Sequence, residues 1–271
     1  MLTYPNAKIN IGLNVVERRS DSYHNIETVF YPIGLSDVLE VVPSETCSDY
    51  SFSSAGITLD GDPEDNLIVR AYRLLRSEYQ FDPVDITLVK QIPYGAGLGG
   101  GSSDAAFMLK SINELFSLKI TTKKLEKLAS ILGADCPVFI RNKPVFATGT
   151  GNVFTPIKLS LKGYFLLLVK PDIHVSTPEA YSLIAPEKPE ISLLSLINTP
   201  INEWKETIKN DFEKSVFGKH PAIAEIKNKL YNMGAMYASM SGSGSAVYGI
   251  FETQPMQNEL FEGCFVCGGF L

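Results

Sequence analysis

Five of the seven residues from Gly95 to Gly101 are glycine, and Ser102 and Ser103 follow at once. A backbone free of side chains lets successive N–H groups close on a phosphate, and a helix beginning there adds the positive end of its dipole. A tight turn alone would not require so many glycines, each of which costs conformational entropy on folding. Gly95, Gly97 and Gly100 also satisfy G-x-G-x-x-G, the dinucleotide fingerprint. That fingerprint needs another strand soon after its helix, with an acid for the ribose, and a second helical segment stands there instead. No Gly-Lys-Ser/Thr closes the loop as in a Walker motif, and no H-R-D or D-F-G follows as in a protein kinase. The segment reads as a phosphate-binding loop of another kind.

The elements around it must hold it in place. Ile9, Ile11, Leu13 and Val15 alternate with polar or small residues, the period of a half-buried strand. Residues 26–42 read as two further strands, broken by the turn-like cluster Gly34 to Asp37. From Asp65, the residues Leu67, Ala71, Leu74 and Leu75 recur at helical spacing, with Asp62 or Asp65 as N-cap. Residues 84–90 alternate as a strand that feeds the glycine segment, and from Ser102 a helix carries Ala105, Leu109, Ile112 and Leu115 along one face. A second helix over 122–132 stops at Gly133, expected in the left-handed conformation that commonly ends helices, and Asp135 falls in the loop beyond. Strands follow over 145–148 and 164–169, then a helical region from Pro178 to Met233 ending at Gly234. Two apolar runs, 236–239 and 246–251, flank the loop Ser241 to Ser245. Strands and helices without regular βαβ alternation predict an α+β protein with a boundary near residues 155–163.

With 45% hydrophobic residues among 271, the chain can bury one large core or two modest ones without a disulfide or metal. A formal charge of -6 argues against a nucleic-acid partner, which requires clustered Lys and Arg. The basic run Lys119 to Lys127 holds Leu125 and Leu128 at helical spacing and reads as a solvated helix face. No apolar run reaches the roughly 20 residues of a membrane helix, and Met1 to Asn14 lacks a signal-peptide pattern, so no membrane partner and a cytoplasmic location are expected. Cys47, Cys136, Cys264 and Cys267 are too scattered for a disulfide scaffold; Cys264-x-x-Cys267 has neither a second pair nor a histidine for zinc and reads as strand. Cys136 has no local histidine to make it a catalytic thiolate.

The segment Pro93-Tyr94-Gly95-Ala96-Gly97-Leu98-Gly99-Gly100-Gly101-Ser102-Ser103 resembles the ATP-binding loop of the GHMP kinases, in the form whose acceptor is a cytidine diphosphate-linked methylerythritol. Separated motifs extend the resemblance over nearly the whole chain: Ala7-Lys8-Ile9-Asn10, Asp21-Ser22-Tyr23-His24, Asp65-Asn66-Leu67-Ile68, residues 133–139, Val175-Ser176-Thr177-Pro178 and residues 240–245. Galactose, homoserine and mevalonate kinases share the central loop and the last motif; the Tyr23–His24 pair and the Ser-Thr-Pro segment are not theirs. The resemblance implies an ATP- and Mg2+-dependent transfer of phosphate to the 2-hydroxyl of the methylerythritol unit, on the route to isoprenoid precursors. It also implies an N-terminal domain like ribosomal protein S5 domain 2 over 1–158 and a ferredoxin-like C-terminal domain over 159–271. ATP would lie on the loop from Pro93 to Ser103, with Asn66 near its base. Tyr23 and His24 would hold the cytosine, with Asn10 and Thr177 as lesser contacts. Tyr181 would be either an apolar wall of the substrate site or a core residue.

The pattern has departures. Gly100 and Gly101 stand where many GHMP kinases have two serines, one of which can ligate magnesium, so the metal ligands are not fixed by the resemblance. Ser22 replaces the glycine of D-G-Y-H and would stiffen that turn, and Asn152 stands where relatives often carry Glu. An alcohol is a poor nucleophile, so the reaction calls for a carboxylate within reach of its proton. Asp135, among Gly133, Ala134 and the apolar run from Cys136 to Ile140, is the candidate; its alternative is to cap a short helix at Pro137. Lys8 is its expected partner, stabilising the carboxylate and orienting the hydroxyl, unless it extends from its strand to solvent.

Overall fold

The computed structural model describes residues 1–58, 62–256 and 261–271, and the chain is α+β. Its strands and helices gather into two compact units that are discontinuous in sequence. One comprises residues 1–7, 35–93 and 99–143; the other comprises 8–34, 94–98 and 144–271. These packing units are a different division from the one at 158/159 read from the sequence.

The first unit is a sheet covered by helices. β1 (Leu2–Thr3), β4 (Val38–Pro43), β6 (Val84–Lys90) and β5 (Tyr50–Gly56) lie side by side in that order. β5 and β6 run parallel, joined through α1 (Leu67–Glu78), while β4 pairs antiparallel with both β1 and β6. α2 (Gly100–Leu115) packs on α1, α3 (Thr122–Leu132), α4 (Val138–Arg141) and β4. The glycine segment's helix begins two residues earlier than its spacing predicts, so Gly100 and Gly101 are its first residues. Neither Asp62 nor Asp65 caps α1. Asn66 does, its Oδ1 accepting from the Ile68 N–H at 2.9 Å, while Asp62 accepts from Glu64 in the preceding turn. α3 ends at Gly133 as expected, but with φ 177, extended rather than left-handed; Gly133 N–H still closes the helix on the Ala129 carbonyl.

The second unit holds two sheets. β2 (Asn6–Arg18), whose first two residues belong to the first unit, is followed in order by β3 (His24–Ser36), whose last two do as well, β7 (Val145–Thr148) and β8 (Val153–Pro156). The other sheet is antiparallel, in the order β10 (Tyr237–Met240), β11 (Val247–Phe251), β9 (Phe165–Lys170), β12 (Phe265–Phe270). The run from Pro178 to Met233 is not one helical region. It contains α5 (Thr177–Tyr181), α6 (Leu193–Leu196), α7 (Trp204–Thr207), α8 (Phe212–Lys219) and α9 (Pro221–Asn232), and Gly234 stops the last with φ 94. The core joins Leu13 and Val15 of β2 to Leu167 and Val169 of β9, Val216 of α8, and Ile223 and Leu230 of α9. β2 is buried on both faces rather than one, because its second face carries Lys8 and Asn10, whose polar atoms find partners inside. Cys267 lies in β12 and Cys264 just before it, and among the described residues no group of three or more His, Cys, Asp or Glu could hold a metal ion.

Candidate active site

The first half of the glycine segment, Tyr94 to Leu98, belongs to the second unit. Lys8 is 3% exposed, so it does not extend to solvent. Its Nζ donates to Asn10 Oδ1 at 2.6 Å and to the Gly97 carbonyl at 2.8 Å, and lies 5.0 Å over the centre of the Phe30 ring. The Lys8 N–H also donates to the Leu98 carbonyl, and the Ala246 N–H to the Ala96 carbonyl, so backbone on both sides holds this half of the loop. Asn10 is engaged at both ends of its amide, with Nδ2 donating to Thr28 Oγ1 at 3.0 Å. Gly97 has φ +75, and a Cβ there would fall 1.9 Å from the Ser241 carbonyl oxygen; no other residue fits. Tyr94, by contrast, is exposed, and Gly95 lies against His174, whose Nδ1 a Cβ would approach to 2.8 Å.

Ser241 belongs to the motif at residues 240–245, to which the sequence assigns no site role. Its Oγ donates to the Gly97 carbonyl at 2.9 Å and accepts from the Asn10 N–H at 3.2 Å, joining two of the expected site segments. Asn210 then fixes the Ser241 loop from behind, with Nδ2 donating to the carbonyls of Met240 and Gly242 at 2.8 Å each. The signal available was the Ser-Gly-Ser-Gly-Ser run itself, since a serine beside a glycine that approaches another backbone closely is well placed to bind it.

The second half of the segment belongs to the first unit. Gly99 is the left-handed N-cap of α2 with φ 70, and its carbonyl accepts the first helical bond from Ser103 at 2.9 Å. A Cβ on Gly100 would come 2.9 Å from Ile92 Cγ2 and 3.0 Å from Lys90 Nζ. On Gly101 it would meet only Leu67 Cδ1 at 3.6 Å, an ordinary contact, so the start of α1, with Asn66, adjoins the start of α2. Ser102 is hydrogen bonded to the Cys136 side chain, and burial pushes that thiol up to about 11, which keeps it protonated and unreactive at neutral pH. Asp135 is half-buried in the turn between α3 and α4. The N-cap of α4 is Pro137, not Asp135, and Asp135 supplies the carbonyl that the Val138 N–H meets at 3.3 Å.

The residues expected around the cytosine lie in the second unit. His24 opens β3, and its ring stacks on Tyr181 with centroids 4.7 Å apart and planes at 21°. Tyr181 ends α5 and also packs edge-on to Phe212 at 4.7 Å, so it bridges His24 and the core; burial raises the pKa of its hydroxyl. Tyr23 is 67% exposed beside Ser22, which sits at φ 71, the conformation that the replaced glycine would adopt freely. The Tyr23 N–H donates to Asp21 Oδ1, and its carbonyl accepts from Arg19. Thr177 is exposed at the first position of α5, behind the cap Ser176. Asn152 turns the β7–β8 hairpin, its Oδ1 accepting from the Thr150 N–H at 3.3 Å.

Comparison with known proteins follows the same lines. Residues 66–143 match the GHMP kinases N terminal domain, and residues 193–263 match GHMP kinases C terminal. The chain is 56% identical over 274 residues to the 4-diphosphocytidyl-2-C-methyl-D-erythritol kinase of Parabacteroides distasonis, covering 100% of each. It is 58% identical over 255 residues to the protein of the same name from Bacteroides thetaiotaomicron, covering 94% of this chain and 93% of the relative. The crystal structure of a 4-(cytidine 5'-diphospho)-2C-methyl-D-erythritol kinase superposes with a TM-score of 0.80 at 33% identity, over 92% of this chain and 90% of that one.

Proposed function

This chain belongs to the GHMP kinase family, and we infer that it transfers the terminal phosphoryl group of ATP to the 2-hydroxyl of 4-diphosphocytidyl-2-C-methyl-D-erythritol. The observation that carries the reading is the buried Lys8 ammonium held on the carbonyl of Gly97, which ties a fixed positive charge to the phosphate loop. Positioning and electrostatic stabilisation supply most of the catalysis in phosphoryl transfer, and a fixed ammonium provides both. The acceptor is supported by full-length similarity to relatives of that name.

In this reading the loop from Pro93 to Ser103 binds the phosphates through its backbone N–H groups, and Gly101 leaves room for their approach. Asn66 lies toward the base. Asp135 accepts the proton of the acceptor hydroxyl, and Lys8 contributes its fixed positive charge on the Gly97 carbonyl. Tyr23, His24 and Tyr181 hold the cytosine by stacking and edge hydrogen bonds, and Asn10 and Thr177 make the lesser contacts. Mg2+ at such sites usually rides on the nucleotide phosphates with one or two protein ligands, and it would neutralise their charge. No helix among the described residues is long and apolar enough to cross a membrane.

A coupled ADP-release assay with several acceptors tests this. Turnover is expected with the cytidine diphosphate-linked methylerythritol and not with homoserine, mevalonate or galactose. Equal turnover on one of those alcohols would assign the chain to another GHMP activity, and no ADP release with any acceptor would make it a noncatalytic relative.

A further inference from the structure

Asp37, Lys90 and Asp104 form an ion cluster inside the first unit, at 0%, 1% and 3% exposure, and none of them has a role in the reading above. Asp37 stands between β3 and β4. Its Oδ1 accepts from the N–H groups of Gln91 at 2.6 Å and Ile92 at 2.8 Å, and its Oδ2 accepts from Lys90 Nζ at 2.5 Å. Lys90 Nζ donates onward to Asp104 Oδ2, near the start of α2, at 2.7 Å. Gln91 and Ile92 are the last residues before Pro93, which has no N–H to give. The chain therefore enters the glycine segment from a backbone whose two final donors are fixed on a single carboxylate oxygen. It leaves the segment through a helix tied to the same carboxylate by way of Lys90. The space between is full, since Ile92 and Lys90 are the groups that a side chain on Gly100 would strike.

Burying three charges is costly, and apolar side chains of similar volume would fill the same space without that desolvation. What apolar packing would not provide is direction: a two-to-one arrangement of carboxylates around an ammonium fixes where each element sits by hydrogen-bond geometry. We propose that Asp37, Lys90 and Asp104 are positioning residues for the phosphate-binding loop, holding the strand that enters it and the helix that leaves it at one fixed separation. The N–H groups at the start of α2 then face the nucleotide phosphates already in register, at no cost of ordering when ATP binds. The proposal rests on the ATP-loop reading given above.

Asp104 is the member to change. Its Oδ1 is buried without a hydrogen-bond partner, so it has the weaker hold, and removing it leaves Lys90 and Asp37 as a one-to-one pair. Steady-state kinetics of the full chain are measured for Asp104→Ala and Asp104→Asn, well below their melting temperatures, with the Gly101→Val variant beside them. In Asp104→Ala the KM for ATP is expected to rise about tenfold, since misplacing a binding group by ~1 Å costs up to about 10²-fold. The acceptor KM should stay within twofold of the parent. Asp104→Asn, which keeps the shape and a neutral hydrogen bond, should fall between the two. A purely structural role would lower the melting temperature without moving one substrate's KM selectively. An ATP KM within twofold of the parent in folded Asp104→Ala overturns the proposal. If Asp104→Ala does not fold, an unchanged ATP KM in Asp104→Asn overturns it, and a selective rise supports it. Loss of ATP affinity in Gly101→Val with no change in the Asp104 variants would sink the triad's role alone, whereas normal ATP affinity in Gly101→Val would sink the loop reading and the triad's role with it.

Discussion

The two halves of the glycine segment share a composition and differ in construction. Tyr94 to Leu98 is held by neutral backbone contacts and by Lys8 and Ser241, which both donate to the carbonyl of Gly97. Gly99 to Gly101 opens a helix over a buried ion cluster. Glycine is demanded at Gly97 by a neighbouring backbone and at Gly100 by Ile92 and the buried Lys90. At Gly101 the fold demands nothing: the conformation is helical and the nearest atom is at ordinary contact distance. A residue whose missing side chain the fold does not explain is the best place to look for a ligand. The two halves also each use a buried lysine, Lys8 directed at a loop carbonyl and Lys90 at two carboxylates.

The largest effects should fall on the chemistry. Lys8→Met and Asp135→Asn are expected to fold and to bind both substrates, with kcat lower by about 10² to 10⁴, the usual worth of a positioned acid–base group. Phosphoryl transfer has a loose transition state, so Asn, which keeps the hydrogen-bonding shape, should retain more activity than Ala at Asp135. Near-parental kcat in folded Asp135→Ala would remove the residue from the mechanism.

Lys90→Met should do the opposite, costing stability first. It leaves two carboxylates buried without their cation, a loss of about 3–5 kcal/mol for a broken buried pair, read as a fall in the urea midpoint. The same cluster gives a pH dependence of known sign. Burial pushes the Asp104 carboxyl from its ordinary 3.8 up to about 7, with Lys90 opposing the shift and Asp37 adding to it. The folded state then keeps a proton that the unfolded chain has lost, so this group makes stability fall as pH rises from about 4 to about 7 and adds no further slope above. Burial lowers the affinity of Lys90 for its proton, but Asp104 and Asp37 outweigh it and the pKa is raised, so its contribution persists across that window. Thermal melts of Asp104→Asn between pH 5 and 8 should be flatter than those of the parent; an identical slope would mean that another group titrates.

Gly100 and Gly101 separate fold from ligand more finely. Gly100→Ala overpacks Ile92 and Lys90 and should cost about 1–3 kcal/mol. Gly101→Val should melt close to the parent yet bind ATP poorly in calorimetry. The reverse outcome, an unstable Gly101→Val with normal ATP affinity, would erase the distinction between the two halves.

Much of this was open to reading in the chain itself. β6 and α3 fall on the predicted residues because each keeps a single clean period, and β7 because its short apolar run is bounded by Pro144 and Gly149; α3 also has a threonine cap at Thr121 accepting from the Lys124 N–H. The stretch from Pro178 to Met233 misleads because its short helices carry their own caps, at Ser176 and Ser192, and their apolar positions share no common phase. Lys90 was visible in principle: it continues the buried face Val84, Ile86, Leu88, and Asp104 shares a face of α2 with Met108 and Ile112 at four-residue spacing. Asp37 was not, since only the antiparallel pairing of Val38 with Val89 brings the break between two strands up to the entrance of the loop. The catalytic candidates were found through motif resemblance, whereas the burial of Lys8 on the polar face of β2 depends on the Gly97 carbonyl, which lies far away in sequence.

The smallest expected effect lies at the β2–β3 turn and concerns Ser22, which replaces the glycine of D-G-Y-H. Ser22 adopts φ 71 without being glycine, a conformation that costs an L-residue roughly 1 kcal/mol or more. Restoring glycine relieves that strain but gives the unfolded chain more freedom, which offsets about 0.5–1 kcal/mol of the gain. The turn keeps its other restraints, because the Ser22 N–H still reaches the Arg19 carbonyl and Asp21 still holds the Tyr23 N–H. Ser22→Gly should therefore be neutral to stabilising by about 0.5 kcal/mol, a rise of no more than about 2 °C in melting temperature for a chain of this size. If Ser22 does stiffen the approach to Tyr23 and His24, the acceptor KM should rise slightly while the ATP KM stays fixed. A melting temperature lower by several degrees would show that the serine side chain makes a stabilising contact of its own, and the strain argument would fall.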